Sequence, residues 1–75
     1  MTLEQLKTGQ SCKVTQIKAE GMLKRKLLEM GITPGTEILL RKIAPLGDPI
    51  QINLRGYDLS IRKADAKNIA VEIIN

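Results

Sequence analysis

A small, mainly β barrel of about five short strands with one inserted helix is the fold class this sequence predicts. Five separate runs alternate apolar and polar side chains, the period of a strand that buries one face, and a single stretch switches to helical spacing. The chain has 75 residues, and a domain that short buries only about 60% of the surface its unfolded form exposes. Five one-faced strands must therefore curl around one shared core, and residues 1–75 read as a single domain.

Each element follows from its own residues. Thr2-Leu3-Glu4-Gln5 matches a capping box, so Leu3 to Lys7 is expected to form a helical turn that Thr8-Gly9-Gln10 ends. Cys12 and Val14 alternate with Lys13 and Thr15, which places the first strand from Ser11 to Ile17. Between Gly21 and Gly31, Leu23, Leu27 and Met30 fall at i, i+4 and i+7, the stripe of an amphipathic helix. Gly31 suits the left-handed cap after that helix, with Ile32 folding back on the last turn. Thr33-Pro34-Gly35-Thr36 has Pro second and Gly third, as a type II turn requires. Glu37 to Ile43 and Ile50 to Arg55 read as the next two strands. Gly56-Tyr57-Asp58 reads as the hairpin turn into a strand from Leu59 to Lys63. After a turn at Ala64-Asp65-Ala66-Lys67, Ile69, Val71 and Ile73 form the last strand. An SH3-like barrel fits this order best.

Composition narrows the function. His, Trp and Phe are absent, and there is one Tyr and one Cys. The usual general base near neutral pH and the commonest transition-metal ligand are therefore both missing, and one thiol makes neither an internal disulfide nor a thiolate cage. A core thiol in a reducing compartment is the expected role of Cys12. No catalytic residue, cofactor site or metal site is assigned, and no small-molecule substrate is expected. The carboxylates, from Glu4 to Glu72, are scattered along the chain. No apolar run approaches the length of a membrane span, and the N-terminus lacks a signal-peptide core, so a cytosolic location is expected. The formal net charge of +4 is a mild bias that suits an acidic partner, nucleic acid or anionic lipid without choosing among them.

Three linked segments carry a resemblance: Leu27-Leu28-Glu29-Met30-Gly31-Ile32-Thr33-Pro34-Gly35-Thr36, then Ala44-Pro45-Leu46-Gly47-Asp48-Pro49-Ile50, then Arg55-Gly56-Tyr57-Asp58-Leu59-Ser60-Ile61-Arg62. In this order, over nearly the whole chain, they resemble the FeoA family. The resemblance implies an SH3-like fold and a cytosolic accessory role beside a FeoB-type ferrous iron transporter, on its cytosolic portion. A similar domain ends some iron- and manganese-dependent repressors, but this chain has no room for their helix-turn-helix. The carboxylates form no ligand arrangement, so any link to iron is expected to be indirect.

The partner-binding candidates are Pro45, Leu46, Gly47, Asp48, Lys24, Arg25, Lys26, Arg55 and Tyr57. Leu46 either folds back over the barrel end, with Pro45 and Pro49 stiffening the turn, or stands out as an apolar knob whose ordering cost those prolines lower. Lys24, Arg25 and Lys26 are either a solvated helix face or an electrostatic dock that speeds association. Tyr57 covers a core edge or anchors a partner. Arg55 comes nearest to the mobile loop arginine that an arginine-finger role would need. The alternative is a nucleic-acid-associated SH3-like module that sets its positive charge on phosphates. Nucleic acid is disfavoured because base stacking needs aromatic platforms, and a polyproline groove fails for the same reason. A self-associating scaffold is a third reading.

Overall fold

The computed structural model describes residues 1–75, and it contains five strands, two helices and a short 3-10 turn. The strands are β1 (Ser11–Ile17), β2 (Glu37–Ile43), β3 (Ile50–Leu54), β4 (Tyr57–Ile61) and β5 (Ile69–Ile73); the helices are α1 (Gly21–Glu29) and α2 (Lys63–Ala66). They form one antiparallel sheet in the order β4-β3-β2-β1-β5. Register shifts between Val14 and Gln16 in β1, and between Leu40 and Lys42 in β2, bend the two central strands. The sheet thereby curls into an SH3-like barrel, with α2 as the link between its outer strands β4 and β5.

The predicted alternation sets the core. Cys12 and Val14 on β1, Ile38 and Leu40 on β2, Ile50, Ile52 and Leu54 on β3, Ile61 on β4, and Ile69 and Val71 on β5 are all buried. Helix α1 adds Leu27, with Leu23 and Met30 packed beside it, and the N-terminal segment adds Leu3 and Leu6. The backbone of that segment also covers an edge, since Val71 N–H donates to the Met1 carbonyl oxygen at 2.9 Å and Thr2 bridges to Ala70. No helix is long and apolar enough to cross a membrane.

The helix end is encoded locally and forms as its residues dictate. Gly31 lies at φ +89°, its N–H donates to Leu28 O at 3.0 Å, and Ile32 N–H donates to Leu27 O at 3.0 Å. These are the two bonds of a Schellman cap. The next turn closes with Thr36 N–H on Thr33 O at 3.0 Å and Gly35 at φ +91°.

Three expectations are corrected. The N-terminal turn spans only Leu3–Gln5 and is of 3-10 type. The expected capping box forms between Thr2 and Gln5, with Gln5 Oε1 accepting the Thr2 N–H at 2.9 Å, and the Thr2 hydroxyl also donates to the Glu4 carboxylate. The β3–β4 hairpin turns on Arg55 and Gly56, at φ 52° and 85°, instead of Gly56 to Asp58. This is the type I′ connection, which requires positive φ at both central residues. Arg55 is consequently a turn residue and Tyr57 opens β4, which ends at Ile61. The expected turn near Ala64 is a complete helical turn, α2, with Ala66 fully buried.

Candidate functional site

The candidate residues separate into two groups at opposite ends of β3. A five-residue strand at about 3.3 Å per residue holds the loop 44–49 and the Arg55–Gly56 turn some 17 Å apart. The structure therefore does not bring all nine together.

The first group begins with the loop. Ala44 N–H donates to Pro49 O at 3.0 Å and Gly47 N–H donates to Ala44 O at 2.7 Å, which ties the base and the tip. Asp48 Oδ1 accepts the backbone N–H of Lys63 at 2.9 Å, fixing the loop to the start of α2. On this braced loop Leu46 is 97% exposed. The fold-back reading of Leu46 is thus overturned: the loop's own hydrogen bonds hold its tip off the barrel.

Helix α2 joins this loop to α1, because Lys26 Nζ lies 3.7 Å from Asp65 Oδ2. Lys26 is engaged in that exposed pair, whereas Lys24 and Arg25 make no ion pair. With Gly21, Leu28 and Glu29 they line a shallow hollow of about 400 Å³ on the outer face of α1. Met22, not among the sequence candidates, is 85% exposed on the same helix. Its signal was available: it stands beside the Leu23, Leu27, Met30 stripe and not in it.

The second group surrounds the hairpin turn. Arg55 Nη2 donates to Thr33 Oγ1 and to Thr36 Oγ1, both at 3.3 Å, and the two hydroxyls are 2.9 Å apart. Tyr57 lies across the same turn, with its hydroxyl donating to Met30 O at 2.6 Å. Tyr57 is 44% exposed, and its hydroxyl bond ties it to the end of α1. An open cleft of about 480 Å³ is lined by Pro34, Gly35, Thr36, Glu37 and Arg55.

Two further side chains have perturbed acidity. Burial pushes the Cys12 thiol up to about 11, against a backbone hydrogen bond at Ile38 that lowers it. On the outer sheet face Asn53 donates to Asp58 Oδ1 at 2.7 Å, and this bond, with Arg41 nearby, holds the Asp58 carboxyl below its ordinary value. No group of three His, Cys, Asp or Glu side chains converges to hold a metal ion.

The family model for the FeoA domain matches residues 1–73. The chain belongs to the FeoA family. A FeoA-like protein from Clostridium acetobutylicum, solved by NMR, is 44% identical with a TM-score of 0.94, over 100% of this chain and 87% of that one. The FeoA of Stenotrophomonas maltophilia, crystallised with zinc and described as a prokaryotic SH3 domain protein, is 26% identical with a TM-score of 0.84, over 96% of this chain and 89% of that one. A Porphyromonas gingivalis protein named as a fusion of Fe(2+) transport protein A and the Fe(2+) transporter FeoB is 35% identical over 75 residues. This FeoA chain spans only 9% of that relative.

Proposed function

We propose that this FeoA chain is a non-enzymatic, cytoplasmic accessory of bacterial ferrous iron uptake, which docks on the cytosolic portion of a FeoB-type transporter and modulates it. The observation that carries this reading is the Porphyromonas relative, in which a segment similar to the whole of this chain is named as fused to FeoB. Fusion makes an encounter intramolecular and raises the effective concentration of the two parts, which favours domains that work in contact. The description of the Stenotrophomonas protein as a candidate ferrous iron transport activating factor points the same way.

The docking surface is the end that carries Pro45, Leu46, Gly47 and Asp48, with Lys24, Arg25 and Lys26 on the adjoining α1. A knob braced by three hydrogen bonds loses little freedom on binding, and the exposed Lys24 and Arg25 steer an acidic partner toward it. Iron is the transporter's cargo in this reading and is not held by this chain.

An amide NMR titration of the labelled chain with the cytosolic portion of its own organism's transporter, at moderate salt, tests the reading. Saturable shifts centred on Leu46 and reaching Lys24 and Arg25 are expected. An unchanged spectrum at high partner concentration would sink it, and shifts produced instead by nucleic acid would favour the phosphate-binding alternative.

A further inference from the structure

Arg55 combines three properties that a merely structural residue at a hairpin turn does not need. Its backbone sits at φ 52°, a region in which L side chains other than Asn and Asp are disfavoured and Gly is at ease. Its guanidinium is fixed, because Nη2 donates to both Thr33 Oγ1 and Thr36 Oγ1. Yet its charge is not neutralised: the ion pairs of the molecule are Lys26–Asp65 and Arg41–Asp58. Continuing the register from Leu39 opposite Asn53 sets Glu37 opposite Arg55, and Glu37 lines the same cleft without pairing. The three N–H groups on Nε and Nη1 have no protein acceptor.

We infer that the Arg55 cleft is a binding site for a single carboxylate, supplied by an acidic side chain of a protein partner. A positioned guanidinium with free donors is the group that recognises a carboxylate, and the Thr33 and Thr36 hydroxyls hold it in place before the ligand arrives. The charge balance selects the ligand class. Glu37 on the rim, unpaired with Arg55, repels a phosphate dianion more strongly than a singly charged carboxylate, so the cleft favours Asp or Glu over a nucleotide or nucleic-acid backbone. The source of the carboxylate rests on the docking reading above. On that reading the partner touches both ends of the barrel, with the Leu46 loop as its apolar contact and Arg55 as its charged one.

The test has two arms. In the first, the Arg55 Nε–H resonance and the Thr36 amide are followed by NMR as sodium acetate, sodium phosphate or sodium chloride is added at matched ionic strength. Saturable shifts with acetate that exceed those with phosphate, and that Arg55→Asn abolishes, are expected. The absence of a saturable acetate shift, or a stronger response to phosphate, overturns the site. In the second, the wild-type chain, Arg55→Asn and Arg55→Lys are compared for binding to the transporter's cytosolic portion. An affinity loss of about tenfold for Asn, partly restored by Lys, is expected. Equal affinities for all three overturn the transporter as the source of the carboxylate. If even the wild type fails to bind, the docking reading falls, while the acetate arm still decides the site. Because Asn is at ease at positive φ, Arg55→Asn is expected to keep its thermal midpoint; a large fall would mark Arg55 as structural.

Discussion

The Tyr57 hydroxyl meets the carbonyl oxygen of Met30 at 2.6 Å because Gly31, the next residue, has no side chain. A Cβ on Gly31 would lie 2.9 Å from that hydroxyl oxygen, closer than such atoms come, and the backbone there is at φ +89°. Gly31→Ala is therefore expected to cost about 1–3 kcal/mol, from left-handed strain together with loss of the Tyr57 bond. Tyr57→Phe loses only the bond and should cost about 1 kcal/mol. Urea unfolding of both single variants and the double variant checks this. In Gly31→Ala/Tyr57→Phe the two costs should sum to less than their separate values, because the clash and the lost bond share one atom.

Cys12 makes a pH prediction with a definite sign. The thiol is fully buried and its pKa rises to about 11 from an ordinary 9.0, so between those values the unfolded chain releases a proton that the folded chain keeps. The folded state then binds more protons than the unfolded state, and stability falls as pH rises through this window. Two units correspond to a loss of about 2–3 kcal/mol once pH exceeds both values. Cys12→Ala should remove this part of the alkaline slope. Below pH 9 the native thiol should react with iodoacetamide only at the rate of unfolding.

What the sequence disclosed follows the range of the interactions. The Schellman cap at Gly31 and the turn at Pro34-Gly35 depend on neighbours within a few residues, and both were legible. The turn at Arg55-Gly56 lies one residue earlier than the sequence predicts, because an arginine at positive φ runs against its local preference. Helix α2 is not legible from its own four residues, which do not hold a helix by themselves; its first amide is bound by Asp48, fifteen positions earlier. The geometry of the candidate residues was not legible. Nothing in their spacing reveals that β3 holds Leu46 and Arg55 at opposite ends, or that Leu46 stands clear of the barrel.

Asp48 is expected to act on α2 and not only on its own loop. Its carboxylate oxygen serves as the capping acceptor for the Lys63 N–H, a role that normally falls to the helix's own N-cap, where Arg62 here makes no side-chain bond. Asp48→Ala should cost about 1 kcal/mol and speed amide exchange through Lys63 to Ala66. Asp48→Asn keeps an acceptor oxygen and should lose much less. Equal costs for the two variants would mean that the charge, and not the bond, matters.

Lys24 and Arg25 should govern how fast the partner arrives. Neither is paired, so reversing both to Glu removes attraction that no local contact replaces. Stopped-flow association with the transporter's cytosolic portion should slow by about tenfold at low salt and converge toward the wild-type rate as salt rises. Lys26→Glu should have a smaller effect per charge, since Asp65 already offsets Lys26. Dissociation rates should change little in all cases.

Leu46 separates stability from binding most cleanly. At 97% exposure it contributes almost nothing to the core, and the hydrogen bonds that brace its loop are made by Ala44, Gly47, Pro49, Asp48 and Lys63. Leu46→Ala and Leu46→Asp should therefore leave folding stability within about 0.5 kcal/mol of the wild type, measured by urea unfolding. On the transporter's cytosolic portion, Leu46→Ala should lose more than about 1 kcal/mol of affinity if the side chain fills a pocket. Leu46→Asp should lose more still, because a carboxylate would be buried without a partner. Isothermal titration of the three chains decides the matter. Unchanged affinity in the Asp variant would place the contact elsewhere on the barrel and leave this loop without a role in docking.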